Sequence, residues 1–290
     1  MADCQFVFGL GYSALRLARR LRDAGWRVRG TTRDAAKAAA LAAEGIGALV
    51  FDRDIPLADP GALDGVTHVL SSVPPDAAGD PVLDCHGADL AACAKQLRWV
   101  GYLSTTGVYG DRDGGWVDED SALEPTGERG ARRVAAERGW LDLGERFGVP
   151  VQVFRLAGIY GPGRSALDTV RQGRARRLVK PGQVFSRIHV DDIVGVLEAS
   201  MARPDPGRVY NVCDDEAAPP QDVIAFACEL LGMEAPSEVP IEAAELSDMA
   251  RSFYRDNKRV SNARLKDELG VTLRYPDYRA GLQALLAAGD

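Results

Sequence analysis

The sequence predicts an α/β protein: a doubly wound, mainly parallel sheet with a smaller C-terminal lobe interleaved with it. Three observations carry the prediction. The apolar pattern switches repeatedly between strand and helix period, a glycine turn closes the first strand, and the alternation loosens after residue 157. "CQFVFG" (4–9) is a short apolar run ending at glycine. From Gly11 onward, Ala14, Leu17, Ala18 and Leu21 recur at helical spacing, while Arg16, Arg19, Arg20 and Arg22 lie largely off that stripe. "WRVRGTT" (26–32) reads as the second strand and "DAAKAAALAAEG" (34–45) as the second helix. Further strands are predicted at 47–51, 67–73, 99–104 and 149–156, with helices around 86–97 and 128–147. Right-handed crossovers between such units place ligands at the carboxyl ends of the strands.

Past residue 157, turn-rich "GIYGPG" (158–163) leads to a basic stretch, a strand at 183–190 and a helix at 191–202. A returning strand at 207–213 and helices near 219–231, 240–250, 261–268 and 276–287 follow. The expected nucleotide-binding domain is 1–157 plus about 183–213. The substrate lobe is about 158–182 plus 214–290. There is no internal repeat and no low-complexity linker.

With 290 residues, 46% of them apolar and 27% charged, the composition is that of a soluble globular protein. A formal net charge of −7 argues against a general nucleic-acid or anionic-membrane binder, yet permits a local basic pocket. No apolar run approaches the ~18 residues of a membrane helix. The first strand starts too early for a signal peptide, so a cytoplasmic location is expected. Cys4, Cys85, Cys93, Cys213 and Cys228 form no CxxC pair. "CHGADLAAC" (85–93) separates its cysteines by eight, with only His68 and His189 elsewhere; buried thiols are expected there, and no metal site.

"GLGYSA" supplies Gly9, Gly11 and Ala14 in the GxGxxG/A pattern between a strand and a helix. Gly9 permits a tight turn, Gly11 admits a pyrophosphate to the backbone, and Ala14 lets helix pack on strand. Tyr12 and Ser13 within the same turn, and Ser72 near the end of the strand at 67–73, are further candidate cofactor contacts. The alternative is a plain tight turn. An acid about 20 residues on would accept from a ribose 2′-hydroxyl. This chain instead reads "RGTTRD" (29–34), where Thr32 and Arg33 end the strand and suit a 2′-phosphate. Asp34 fits the N-cap of the next helix. NADP is therefore favoured, with NAD as the alternative.

"GLGYSA", "STTGVYG" (104–110), "RLAGIYGPGR" (155–164), "IHVDDI" (188–193) and "VYNV" (209–212), in this order, resemble extended short-chain dehydrogenases/reductases of the NAD-dependent epimerase/dehydratase type. The resemblance covers nearly the whole chain. It implies a Rossmann-type domain, a C-terminal substrate lobe, a small-molecule substrate and a homodimer built on helices 86–97 and 128–147. It also implies that Thr105 polarises the substrate oxygen and that Asp52 contacts adenine, against an ordinary strand-end turn for Asp52.

The resemblance breaks at the catalyst. The family's Tyr-x-x-x-Lys pair begins the helix at 128–147, and the glutamate that often follows the lysine by four residues matches Glu137. Counting back puts Arg133 in the lysine slot and Arg129 in the tyrosine slot. No tyrosine or lysine occurs between Trp116 and Phe147. An arginine with a pKa above ~12 is a poor proton donor at neutral pH. Arg133 can still bind ribose hydroxyls and Arg129 an anion; the bland alternative is a pair of solvated helix arginines. Two further departures are Gly158, where the family commonly has asparagine, and Phe185, where it commonly has arginine, although Arg187 lies close by.

Tyr109 is a weak candidate acid, because VYG tyrosines usually pack structurally; Tyr160 and Tyr254 are lesser candidates. His189 reads as a buried structural histidine. The basic segment "GRSALDTVRQGRARRLVKPG" (163–182) carries Arg164, Arg171, Arg174, Arg176, Arg177 and Lys180 against Asp168 alone. It suits either an anionic ligand or a solvated basic face. Arg164 and Arg187 are the candidate substrate contacts. The expected activity is that of an NADP-dependent oxidoreductase or epimerase/dehydratase-like enzyme with a non-standard active site. The alternatives are a non-catalytic NADP(H) sensor and a dimeric scaffold with a vestigial pocket.

Overall fold

The structure, a computed structural model, describes residues 3–246 and 248–289. In chain order the elements begin β1 (Cys4–Phe8), α1 (Tyr12–Asp23), β2 (Arg27–Thr32), α2 (Ala35–Ala43), β3 (Gly47–Val50), β4 (His68–Ser71), α3 (Pro81–Ala92) and β5 (Trp99–Thr105). They continue with β6 (Trp116–Val117), α4 (Glu128–Phe147), β7 (Val151–Leu156), β8 (Gly158–Tyr160), α5 (Ala166–Arg171), β9 (Arg177–Val179), β10 (Arg187–His189) and α6 (Val190–Ala202). The last are β11 (Val209–Val212), α7 (Pro220–Leu230), β12 (Glu238–Pro240), α8 (Asp248–Arg255), β13 (Arg259–Val260), α9 (Ala263–Leu269) and α10 (Tyr278–Ala287).

Seven strands form one sheet in the order β11-β7-β5-β4-β1-β2-β3, with the pairs from β5 to β3 all parallel. The predicted doubly wound α/β sheet is present. Every residue of β1, β4 and β7 is buried, Gln5, His68, Gln152 and Arg155 included, as expected of strands covered on both faces. Strand order reverses between β1 and β4, so the crevice beyond their carboxyl ends is the switch point where ligands bind in such sheets.

The chain divides into two units. The first comprises 1–105, 131–155 and 196–210; the second comprises 106–130, 156–195 and 211–290. Of the nucleotide domain expected from sequence, 106–130, 156–157, 183–195 and 211–213 fall in the second unit. For 106–130 the reason is its pairing: β6 lies parallel to β13, and Arg112 donates its N–H to the Asn257 carbonyl at 2.9 Å. Gly110 pins this segment. Its φ is +69°, and a Cβ there would sit 1.8 Å from the Glu124 carbonyl oxygen.

In the first unit Phe6, Phe8, Tyr102, Trp140 and Val153 share one buried cluster, each large side chain contributing about 2 kcal/mol. The helix predicted at 86–97 runs instead from Pro81 to Ala92. Asp80 caps it, accepting from the N–H groups of Val82 and Leu83, and Pro81 takes the first position. Proline is well suited to that first position, although mid-chain it reads as a breaker.

In the second unit α5, α7 and α10 close on Leu167, Val170, Val223, Tyr278 and Leu282. The strand predicted at 183–190 shortens to β10, paired with β8. The helix predicted at 240–250 is replaced over Ile241–Ala243 by a 3₁₀ turn, and residue 247 lies outside the described residues. No helix among the described residues is long and apolar enough to cross a membrane.

Candidate functional site

Beyond the end of β1 the chain turns at Gly9, whose φ is +85°. The Gly9 N–H donates to Thr31 Oγ1 at 2.9 Å, and Ser72 Oγ donates to the Gly9 carbonyl at 2.6 Å. The turn is thus fastened to the ends of β2 and β4, and Gly11 opens α1 with nothing from a side chain capping it. Here the two glycines separate. Gly9 is demanded by its backbone, with Ser72 and Val73 atoms 3.1 Å from a Cβ. Gly11 has φ −84°, and a Cβ there would meet nothing nearer than 3.9 Å. The fold does not require glycine at 11. A group lying against the N-terminus of α1 would, because a Cβ fills that cradle. A dinucleotide pyrophosphate fits this demand. Ser13 and Ala14 are buried beneath the turn, and Tyr12 is exposed at its edge.

At the end of β2, Thr32 is buried and Arg33 is exposed. Asp34 accepts from the Ala36 and Lys37 N–H groups as the N-cap of α2, so its carboxylate is engaged by the helix. Lys37 escaped the sequence reading. Its Nζ donates to the Leu10 carbonyl at 2.7 Å, bringing a second cation to the glycine turn. The signal was available: Lys37 follows the Asp34 cap by three residues, in the first turn of α2. Asp52 is exposed and accepts from the Arg53 N–H at 2.8 Å.

Thr105 ends β5 and is half-buried. Arg129 is exposed in the first turn of α4. Arg133 differs: its Nη1 donates to the Tyr102 hydroxyl at 3.0 Å and to the Leu103 carbonyl at 2.7 Å. The reading of both as solvated helix arginines therefore fails for Arg133. Tyr109, the weak candidate acid, is enclosed by its surroundings. It is fully buried, and its hydroxyl donates to Asn211 Oδ1 at 2.7 Å. Tyr160 is buried, donates to the Asp277 carbonyl at 3.3 Å, and has its ionisation pushed well up by burial. Tyr254 is half-buried and packs edge-to-face on Phe185. His189 is buried against Tyr275 and accepts from the Asp191 N–H through Nδ1, a structural placement.

Behind Thr105 lies a buried ion pair. Arg155 and Glu137 are 4% and 1% exposed and meet at 2.9 Å, and the Ser104 hydroxyl donates to the same carboxylate. The glutamate matched from sequence therefore fixes the β5 end to α4 and β7. Among the described residues no cluster of three or more His, Cys, Asp or Glu is placed to hold a metal ion.

The second unit holds a cavity of about 380 Å³, whose walls include Arg164, Arg174, Arg187, Tyr160, Tyr278 and Thr169. The two substrate candidates, Arg164 and Arg187, are brought together there. Arg171, Arg176, Arg177 and Lys180 of the basic segment do not line it. Arg187 forms part of the wall, with Nη1 donating to the Phe185 and Ala218 carbonyls at 2.8 and 3.0 Å. Asp214, which sequence reasoning missed, is 3% exposed near Arg187.

The sequence profile of the NAD dependent epimerase/dehydratase family matches residues 6–213. Protein YeeZ of Escherichia coli (strain K12) is 30% identical over an alignment covering 93% of this chain and 96% of its own. The solved structure of a functionally unknown conserved protein from Silicibacter pomeroyi is 55% identical, with a TM-score of 0.92 and 99% of both chains covered. A dTDP-glucose 4,6-dehydratase from Bacillus anthracis, solved in complex with NAD, is 16% identical with a TM-score of 0.76, covering 99% of this chain and 96% of its own. This last likeness is one of fold.

Proposed function

The chain belongs to the NAD dependent epimerase/dehydratase family, and from that premise we propose that it binds a nicotinamide dinucleotide, NADP in preference to NAD. We propose further that it acts as an oxidoreductase or epimerase/dehydratase-like enzyme on a small anionic molecule. Gly11 carries this reading: it is a glycine the fold does not need, at the helix terminus where a pyrophosphate would lie. Gly9, Ser13 and Ser72 would hold the phosphates and the turn. Arg33 and Lys37 supply two cations near the strand end for a 2′-phosphate. The nicotinamide, when bound, supplies a hydride acceptor or donor.

On the protein side, Thr105 would donate a hydrogen bond to the reacting oxygen of the substrate. Arg133 would offer ribose hydroxyls its remaining N–H groups, since Nη1 is engaged by Tyr102 and Leu103. A fixed guanidinium orients but does not exchange its proton readily at neutral pH. Any proton transfer must therefore come from substrate, water or another side chain.

One observation favours the sensor alternative: the hydroxyls of Tyr102, Tyr109 and Tyr160 are all buried and hydrogen-bonded. Calorimetry with NADPH and NADH on the wild type and on Arg33→Ala tests the cofactor. NADPH binding at least tenfold tighter, about 1.4 kcal/mol, with most of the difference lost in the variant, supports the reading. Absence of binding by either nucleotide at millimolar concentration overturns it. Product analysis with a library of small anions, alongside nicotinamide absorbance, separates enzyme from sensor. The cytoplasmic homodimer expected from the sequence belongs to the same proposal, and sedimentation equilibrium tests the dimer.

A further inference from the structure

We propose that the cavity of the second unit is a binding site for a phosphate monoester of sugar size, held by the guanidinium groups of Arg164, Arg174 and Arg187. This deepens the reading of an anionic substrate and rests on it for the link to turnover, though the site itself stands on its own geometry.

Charge is the first argument. Three arginines line about 380 Å³, and the acid among the lining residues, Asp168, is engaged elsewhere. Its Oδ2 accepts from both the N–H and the hydroxyl of Ser165 in a capping box at the start of α5. The wall is therefore net cationic, three guanidinium groups against Asp168 in the lining and Asp214 buried near Arg187, in a chain of net charge −7. Guanidinium groups present paired donors that match phosphate oxygens, and a dianion with three terminal oxygens can engage more than one such fork.

The second argument is preorganisation. Arg187 is tethered at Nη1 by two carbonyls from opposite sides of the Phe185–Ala218 bridge, while Nε and Nη2 make no hydrogen bond among the described residues. Its orientation is already fixed, so a ligand need not immobilise a free side chain. Arg164 and Arg174 are exposed at the rim, where Arg174 Nη2 donates to the side-chain oxygen of Gln172, itself a lining residue.

Size and wall chemistry give the third. A volume near the lower end for small-molecule sites suits one sugar ring and its phosphate. Tyr160 and Tyr278 supply ring faces, and Leu282 and Val223 an aliphatic floor, for the C–H face of a sugar. The Tyr160 ring is itself held against α10: a Cβ on Gly281 would lie 2.0 Å from its hydroxyl. That wall cannot retreat.

The test is calorimetric titration of the whole chain with glucose 6-phosphate, inorganic phosphate, glucose, succinate and UDP-glucose. Glucose 6-phosphate is expected to bind more tightly than phosphate, and glucose not at all. Arg164→Ala and Arg174→Ala, both at exposed positions and with thermal melts run beside them to read the fold, should each weaken binding roughly fivefold to tenfold. Arg171→Ala, at the last residue of α5 but outside the cavity, should leave it unchanged. Arg187→Lys should weaken it more than either rim variant. Binding indifferent to all three cavity variants, or equal to that of Arg171→Ala, overturns the site. Succinate binding as well as glucose 6-phosphate overturns the phosphate class, and UDP-glucose binding far more tightly through the same arginines overturns the monoester. Because NADPH affinity is read separately and depends on Gly11 and Arg33, failure here and failure of the cofactor reading are distinct results.

Discussion

Arg133 reaches across from α4 to the hydroxyl of Tyr102 on β5, 3.0 Å away, beneath the strand end that carries Thr105. Tyr102 is fully buried and stacks on Trp140 at a centroid distance of 5.6 Å. Burial pushes its ionisation up and the nearby guanidinium partly offsets that shift. The arginine in the lysine slot is therefore wired into the core, which a solvated helix arginine would not be. Unfolding free energies of Arg133→Met, Tyr102→Phe and the double variant should show a coupling of about 0.5–3 kcal/mol. Additive losses would mean that the two residues are adjacent without interacting.

Glu137 and Arg155 should be far less tolerant of single changes. Glu137→Gln leaves the Arg155 guanidinium at 4% exposure without its counter-charge. Breaking one partner of a buried pair costs about 3–5 kcal/mol, whereas replacing both by apolar residues of similar volume often costs little. Urea titration should therefore rank Glu137→Gln well below Glu137→Leu/Arg155→Met. The reverse ranking would remove the pair as the element that seats the β5 end.

Two glycines should respond in opposite ways. Gly11→Ala introduces a Cβ that meets nothing within 3.9 Å, so stability should change by no more than about 1 kcal/mol. Nucleotide affinity should nonetheless fall at least tenfold, or by more than about 1.4 kcal/mol. Gly110→Ala combines φ +69° with a Cβ 1.8 Å from the Glu124 oxygen and should lose more than about 2 kcal/mol of stability. Thermal melts and calorimetry on the same preparations check both. An unstable Gly11→Ala would return that glycine to the fold.

Adding a positive residue to the cofactor account follows from Lys37. Lys37→Ala and Arg33→Ala should each narrow the NADPH-over-NADH preference, and the double variant should abolish it. Lys37 reaches the Leu10 carbonyl from α2, so its loss also loosens the turn. The signature sought is a selective loss of NADPH affinity; equal losses for both nucleotides would assign Lys37 to the turn alone.

What the sequence made legible follows from period. β1, β2, β4, β5 and β7, with α1, α2 and α4, are long enough for an apolar rhythm to declare them, and "GLGYSA" sits where the strand order reverses. Among the two- and three-residue strands, β6, β8, β9, β12 and β13 have no rhythm to read, and β10 is only the end of a longer predicted strand; their pairing is set by partners elsewhere in the chain, such as Glu238 opposite Arg177. Helix α3 was misplaced because Asp80-Pro81 is a cap and first position that looks like a break. Thr105, Arg164 and Arg187 stand out in the sequence through motif position and charge, and the last two share one cavity wall. Tyr102 and Asp214 do not, since a tyrosine inside a strand and an acid after one carry no local mark of what they face.

Asp214 gives the molecule a pH dependence whose sign can be worked out. Burial pushes its carboxyl up to about 8, partly opposed by the Arg187 guanidinium and by the backbone N–H groups of Arg187 and Glu216, and reinforced by Asp215. The Tyr160 hydroxyl and the Cys213 thiol, also near Asp214, have their own ionisations pushed up by burial and are neutral at pH 7. In the unfolded chain this carboxyl ionises near pH 3.9. Between about pH 4 and pH 8 the folded state therefore holds one proton that the unfolded state has lost. Stability from this group is full below pH 4 and falls as pH rises, by up to about 1.4 kcal/mol per pH unit until the folded carboxyl ionises near 8. Asp214→Asn, isosteric and uncharged throughout, should remove that slope and gain on the wild type as pH rises from 5 to 8. Urea titrations of both proteins at unit pH intervals read the difference directly. Parallel curves would mean that Asp214 is ionised in the folded protein across this range, paired with Arg187 as a salt bridge.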